Sequence, residues 1–280
     1  MTQPSVQPLL SGAVSALVNL MRPSSYKADE PTHQDVSYLP EESPKDPTSC
    51  ANIYVPRGAR PTRGWPSVIL VHGGGFVVGS RQMKPVRFLG SELSRAGYLV
   101  FVPGYRQLPR GASFTDMHRQ IRKAFDFWME RGTDFGACPG ESAILGKSAG
   151  SAIAMRAAEG IPSTSVRRFI SLFGLQDLNE QPGLLGRAIP RWLLPEGPQS
   201  AAQESPLERP PLPFPLTLIH GSEDRLVPYA QAVAMLERRQ QSGADVELIS
   251  YDGAGHGWFN DESSELARVS LSDLLGILER

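Results

Sequence analysis

From about residue 50 onward, short runs of apolar, largely β-branched residues alternate with longer stretches whose apolar positions recur every three or four residues. The runs CANIYVP (50–56), SVILVHG (67–73), YLVFVPGY (98–105), SAILG (142–146), RRFISLFG (167–174), FPLTLIHG (214–221) and DVELISY (245–251) predict strands. Helices are predicted between and after them, at 86–97, 115–131, 149–159, 229–242 and 262–279. In the second of these, Met117, Ile121, Ala124, Phe125 and Trp128 form one stripe of 3.6-residue period. Strands that alternate with helices of this length imply crossover connections, hence an α/β protein with a mostly parallel central sheet covered by helices on both faces. Upstream, residues 23–49 have loop composition, with DVSYL (35–39) as an edge strand.

Two segments break the rhythm. The stretch 175–213 is too long for an ordinary connection and too apolar for a solvated linker, with Leu184, Leu185, Ile189, Trp192, Leu193 and Leu194, so it reads as a small lid or pocket wall. The run LLSGAVSALVNLM (9–21) is too short to span a bilayer and lacks the basic start and cleavage pattern of a signal peptide. Residues 1–34 are therefore expected to form a helix and loop lying on the body or on a partner, a homodimer being one arrangement. All 280 residues are expected to make one domain, with these two segments as parts of it.

Composition narrows the chemistry. With 28 basic and 29 acidic residues the chain carries no electrostatic footprint for nucleic acid. Cys50 and Cys138 sit in no zinc or disulfide pattern, so no metal site is expected and a reducing, cytoplasmic compartment is preferred.

The strand at 142–146 runs into Gly146-Lys147-Ser148-Ala149-Gly150 and then a helix, the context of a G-x-S-x-G nucleophile elbow. A five-residue pattern arises by chance and serine often caps helices, but its place between strand and helix makes Ser148 the candidate nucleophile. Lys147 reads as solvent-facing. A serine hydroxyl needs a base, and the base an orienting carboxylate. Only His256, in YDGAGHGWF, lies beyond the last strand, while His220, His118, His72 and His33 are weaker candidates. Asp224, just after the strand at 214–221, is the candidate acid, with Glu223 and Asp177 as competitors. The HGGG after the strand at 67–72 offers the amides of Gly74 and Gly75 which, with that of Ala149, would form an oxyanion hole. That loop has neither of the phosphate-cradling glycine spacings. Phe76, Trp192 and Trp258 are candidate substrate-binding residues, with core or lid packing as the competing reading.

With these residues in place, the chain resembles the α/β-hydrolase esterases and lipases, close to the hormone-sensitive-lipase-like and carbohydrate-esterase branches, over roughly residues 35–275. GYRQLPRGASFTDMHRQIRKAFDF (104–127), HGSEDRLVP and GAGHGWF add to the likeness. Lys147 stands where these esterases usually have an acidic residue, and Ser151 where they have glycine. The resemblance implies an α/β-hydrolase fold and hydrolysis of a short-chain ester through an acyl-enzyme, without cofactor or metal. Amide, formamide or peptide hydrolysis, and a non-catalytic hydrolase-like receptor, are the alternatives. Activity should rise from mildly acidic to neutral pH, as an imidazole, which ordinarily titrates at about 6.5, loses its proton.

Overall fold

The computed structural model describes residues 26–39, 46–179, 191–194 and 196–280. Eight strands form one sheet: β1 (His33–Ser37), β2 (Cys50–Tyr54), β3 (Trp65–Val71), β4 (Leu99–Pro103), β5 (Ala137–Lys147), β6 (Val166–Leu172), β7 (Leu216–Gly221) and β8 (Val246–Tyr251). Their spatial order is β1-β2-β4-β3-β5-β6-β7-β8. β1 and β2 are antiparallel to their neighbours, and every other pairing is parallel.

Helices cover both faces, because a parallel pair must be joined by a crossover and each crossover leaves its helix on the sheet. They are α1 (Lys84–Arg95), α2 (Phe114–Arg131), α3 (Ala149–Ala157), the single turn α4 (Ala201–Glu204), α5 (Tyr229–Gln241) and α6 (Glu265–Glu279). One core lies under α2, α3 and α5, the other under α1 and α6. The predicted stripe of α2 is buried in full, with Trp128 stacked on Phe101 at 4.6 Å and donating from Nε1 to Ser67 Oγ at 3.2 Å. Burial of each such side chain stabilises by about 1.5–3 kcal/mol. Ser113 and Asp116 start α2 with a reciprocal capping box, which satisfies two amides that would otherwise lack partners.

β5 begins at Ala137, five residues before the predicted start. Ala137 already pairs with Trp65, and the strand continues through a register irregularity to Ser142 opposite Ser67, a long-range pairing that local apolarity does not signal.

The apolar run 9–21 and Leu184, Leu185 and Ile189 of the insertion lie outside the described residues. The later part of the insertion is tied to its own start, where Leu178 N donates to Ser205 Oγ at 2.8 Å and Leu207 N to Gln176 O at 2.9 Å, and to the body, where Arg239 donates to the carbonyls of Pro206 and Arg209. Leu193 and Leu194 are buried.

From β3 the chain crosses to β4 on one side, and β5 lies on the other. The crossovers therefore diverge, leaving a crevice at the carboxyl ends of β3 and β5, where open α/β sheets place their ligands. The HGGG loop leaves one of these ends and Ser148 the other.

Candidate active site

Ser148 holds φ 53° and ψ −127°, a conformation that costs a residue with a Cβ about 1–3 kcal/mol and persists only where the surroundings over-determine it. Here they do. Ser148 N donates to Leu172 O of β6 at 3.0 Å, and its carbonyl accepts from Ser151 N at 2.9 Å and Leu175 N at 3.2 Å. Tight crossing explains the flanking glycines: a Cβ on Gly150 would collide with the carbonyls of Val71 and His72, and one on Gly146 with Ser151 Cα. Gly150→Ala is accordingly expected to destabilise the fold by roughly 2–4 kcal/mol in urea unfolding. An unchanged midpoint would show that the end of β3 can move aside.

Three elements bring a relay together. Ser148 Oγ lies 2.9 Å from His256 Nε2, and His256 Nδ1 lies 2.7 Å from Asp224 Oδ2. The ionised carboxylate only accepts, so Nδ1 carries the hydrogen and Nε2 is left to accept from the serine hydroxyl. Asp224 Oδ1 takes the amides of Leu226 and Val227, both at 2.9 Å. Burial pushes this carboxyl upward, but the charge of His256 and hydrogen bonds from His220 and His256 more than offset it and hold the group well below the usual carboxylate range. The competing acids lie elsewhere: Glu223 is exposed beside Arg225 at 3.5 Å, and Asp177 binds Ser205 and Asn179.

Facing the serine, the glycine loop folds back on itself. A Cβ on Gly74 (φ 123°) would strike the backbone of Gly79, whereas at Gly75 (φ 59°) the space is open. Among the described residues the amides of Gly74, Gly75 and Ala149 have no hydrogen-bond partner. Ala149 is also the first residue of α3, so its amide sits at the positive end of the helix.

Other expectations need correcting. Lys147 does not face solvent: it is 6% exposed, with Nζ 3.0 Å from Asn260 Oδ1, and burial, helped by Lys84, lowers its pKa to about 7. Phe76 and Trp258, read as substrate-binding or core residues, are both buried. Phe76 meets Phe114 edge-on in one core, and Trp258 lies on Phe173 in the other, donating from Nε1 to Ser270 Oγ at 2.9 Å. Their neighbours come from distant segments, so position beside the glycine loop or the His256 loop does not reveal which way the rings turn. Trp192 is 68% exposed and lines a cleft of about 520 Å³ with Ser113, Asp116, Arg119 and Glu204.

One contact went unforeseen. His220 Nε2 lies 2.9 Å from Val227 O and 3.2 Å from Asp224 Oδ2, a second imidazole on the acid. Its position four residues before Asp224, at the end of a strand, was the available signal.

The depressed Lys147 pKa has a stability consequence. An unfolded lysine titrates at about 10.4. Between about 7 and 10 the unfolded chain therefore binds a proton that the folded chain does not, and stability rises with pH. The penalty for the buried charge is complete below about 7. In urea unfolding from pH 6 to 10, Lys147→Met is expected to lack this rise relative to the wild type.

Residues 51–180 match the BD-FAE family and residues 184–271 the prolyl oligopeptidase family. A probable isoprenylcysteine alpha-carbonyl methylesterase, ICMEL1, of Oryza sativa subsp. japonica is 27% identical over 238 residues, covering 76% of this chain and 55% of that protein. Esterase LipC of Mycobacterium tuberculosis is 29% identical over 241 residues, covering 76% and 58%. The chain thus spans little more than half the length of these relatives. Among solved structures, esterase B from Lactobacillus rhamnosis inhibited by a C4-C4 tributyrin phosphonate superposes with a TM-score of 0.79 at 19% identity, covering 99% of this chain and 96% of that one.

Proposed function

We propose that this chain, an α/β-hydrolase by fold, hydrolyses short-chain carboxylic esters through an acyl-enzyme formed on Ser148. The observation that carries the reading is the unbroken contact from Ser148 Oγ through His256 to the buried Asp224. His256 Nε2 takes the serine proton as Oγ bonds to the acyl carbon, and Asp224 stabilises the resulting imidazolium. The amides of Gly74, Gly75 and Ala149 meet the negative charge on the former carbonyl oxygen. Each such donor is worth about a hundredfold or more in rate. His256 then protonates the departing alcohol, and water, deprotonated by the same nitrogen, attacks the acyl-serine and releases the acid and the free enzyme.

The esterase relatives favour an ester over an amide, and esterase B, which shares the fold, is inhibited by a C4-C4 tributyrin phosphonate, in keeping with a short acyl chain. The free, buried cysteines fit the cytoplasm, and among the described residues no helix is long and apolar enough to cross a membrane. A homodimer is one arrangement open to the chain, and gel filtration of a chain lacking residues 1–22 tests whether that segment carries an association with any partner.

The test is a set of initial rates on p-nitrophenyl acetate, butyrate, octanoate and laurate, with the matching anilides. Rates are expected to be highest on acetate and butyrate and to fall steeply towards laurate, with the anilides slower throughout. Faster cleavage of the anilides would replace the ester reading with an amidase. Inertness towards both would favour a binding role.

A further inference from the structure

Lys147 contributes nothing to the chemistry above, yet it is the residue next to the nucleophile, and its amine end lies inside the protein. Its Nζ is 3.0 Å from Asn260 Oδ1 and 5.5 Å from the centre of the Phe173 ring. Both partners belong to the support of the base. Asn260 ends the short turn Trp258–Asn260 that follows His256, and its amide donates to Gly257 O at 2.8 Å. Phe173, at a positive φ of 38°, presents its ring edge-on to His256 at 5.0 Å and to Trp258 at 4.8 Å.

We propose that Lys147 is a positioning residue, pinning the loop that carries His256 to the nucleophile elbow through Asn260 and Phe173. The proposal rests on the reading of Ser148 and His256 as nucleophile and base.

The alternative is that Lys147 merely fills space. Against this stands the cost of removing a lysine amine from water, as an ammonium below about pH 7 and as a polar amine above it, with only an amide oxygen and a ring face to receive it. A methionine would fill the same volume without that cost. The neighbouring charges do not relieve it. Lys84 at the start of α1 repels it, though Glu262 pairs with Lys84 at 3.1 Å. His72, which Lys147 disfavours as a cation, is held neutral by burial, its pKa lowered to about 4, and His256 meets the Phe173 ring at 5.0 Å. A costly group that joins two loops whose spacing decides proton transfer is better explained by the spacing. Displacing a reacting group by about 1 Å can cost about a hundredfold in rate.

Three variants test this: Lys147→Met, which keeps length and apolar volume, Asn260→Leu, and the double variant. Each single change is expected to lower kcat on p-nitrophenyl butyrate by about ten- to a hundredfold with KM within about twofold, since neither residue touches substrate. The double variant should be no worse than the more damaged single one, because both remove the same tie. The melting temperature of Lys147→Met should equal or exceed that of the wild type. In proton NMR, the low-field signal of the His256 Nδ1 hydrogen on Asp224 should be sharp in the wild type and broadened by exchange in Lys147→Met. Wild-type kcat in Lys147→Met, or a sharp signal unchanged by the substitution, would overturn the proposal. Multiplying effects in the double variant would overturn it too, since the two residues would then act separately. If the wild type cleaves no ester but the NMR signal still responds to Lys147→Met, the positioning role stands and the proposed reaction falls.

Discussion

Ser148→Ala should lower kcat on p-nitrophenyl butyrate by at least about a thousandfold while leaving the fold intact. The substitution removes one oxygen at the head of α3. It leaves the backbone bonds that fix the elbow, from Ser148 N to Leu172 O and from Ser151 N and Leu175 N to the Ser148 carbonyl. Residual activity would come from the amides of Gly74, Gly75 and Ala149 and from binding, which persist without the nucleophile. A second readout makes the result specific. Diethyl p-nitrophenyl phosphate should add one diethylphosphoryl group to the wild type by mass spectrometry, on the peptide containing Ser148, and none to the variant. An alanine variant retaining a tenth of the wild-type rate would place the nucleophile elsewhere.

Asp224→Asn should be nearly as damaging, with kcat down roughly a thousand- to ten-thousandfold at neutral pH. The amides of Leu226 and Val227 both donate to Oδ1, so an asparagine must keep its oxygen there and turn its NH2 towards His256 Nδ1. Facing a donor, Nδ1 has to accept, the ring hydrogen moves to Nε2, and the nitrogen opposite Ser148 can no longer take a proton. His220 meets the same NH2 group and cannot restore the carboxylate. Asp177→Asn and Glu223→Gln, made alongside, should stay within about threefold of the wild type. If Asp177→Asn caused the large loss instead, the orienting acid would be assigned to the wrong loop.

The parts of the molecule legible in the sequence are those set by local pattern and chain order. The α2 stripe from Met117 to Trp128 follows from its period, and the parallel sheet from the alternation of elements. Ser148, Asp224 and His256 could be chosen because each follows a strand and all three leave the sheet at its carboxyl edge. What stayed hidden depends on partners far along the chain. Lys147 is buried because Asn260, 113 positions away, and the Phe173 ring close over it, and no pattern around residue 147 encodes that meeting. Trp258 turns inward because Ser270 on α6 offers its hydroxyl to the indole. The early start of β5 likewise rests on Trp65, on a strand remote in sequence.

With Ser148 as the proposed nucleophile, its left-handed backbone sets the demands of the reaction against those of folding. Among the twenty amino acids, glycine alone adopts such dihedrals without penalty, so a glycine at 148 would give a sturdier and inert protein. Lineages of this chain drifting under selection for folding alone should lose the serine early, and its retention in any descendant would be a record that catalysis was still being selected.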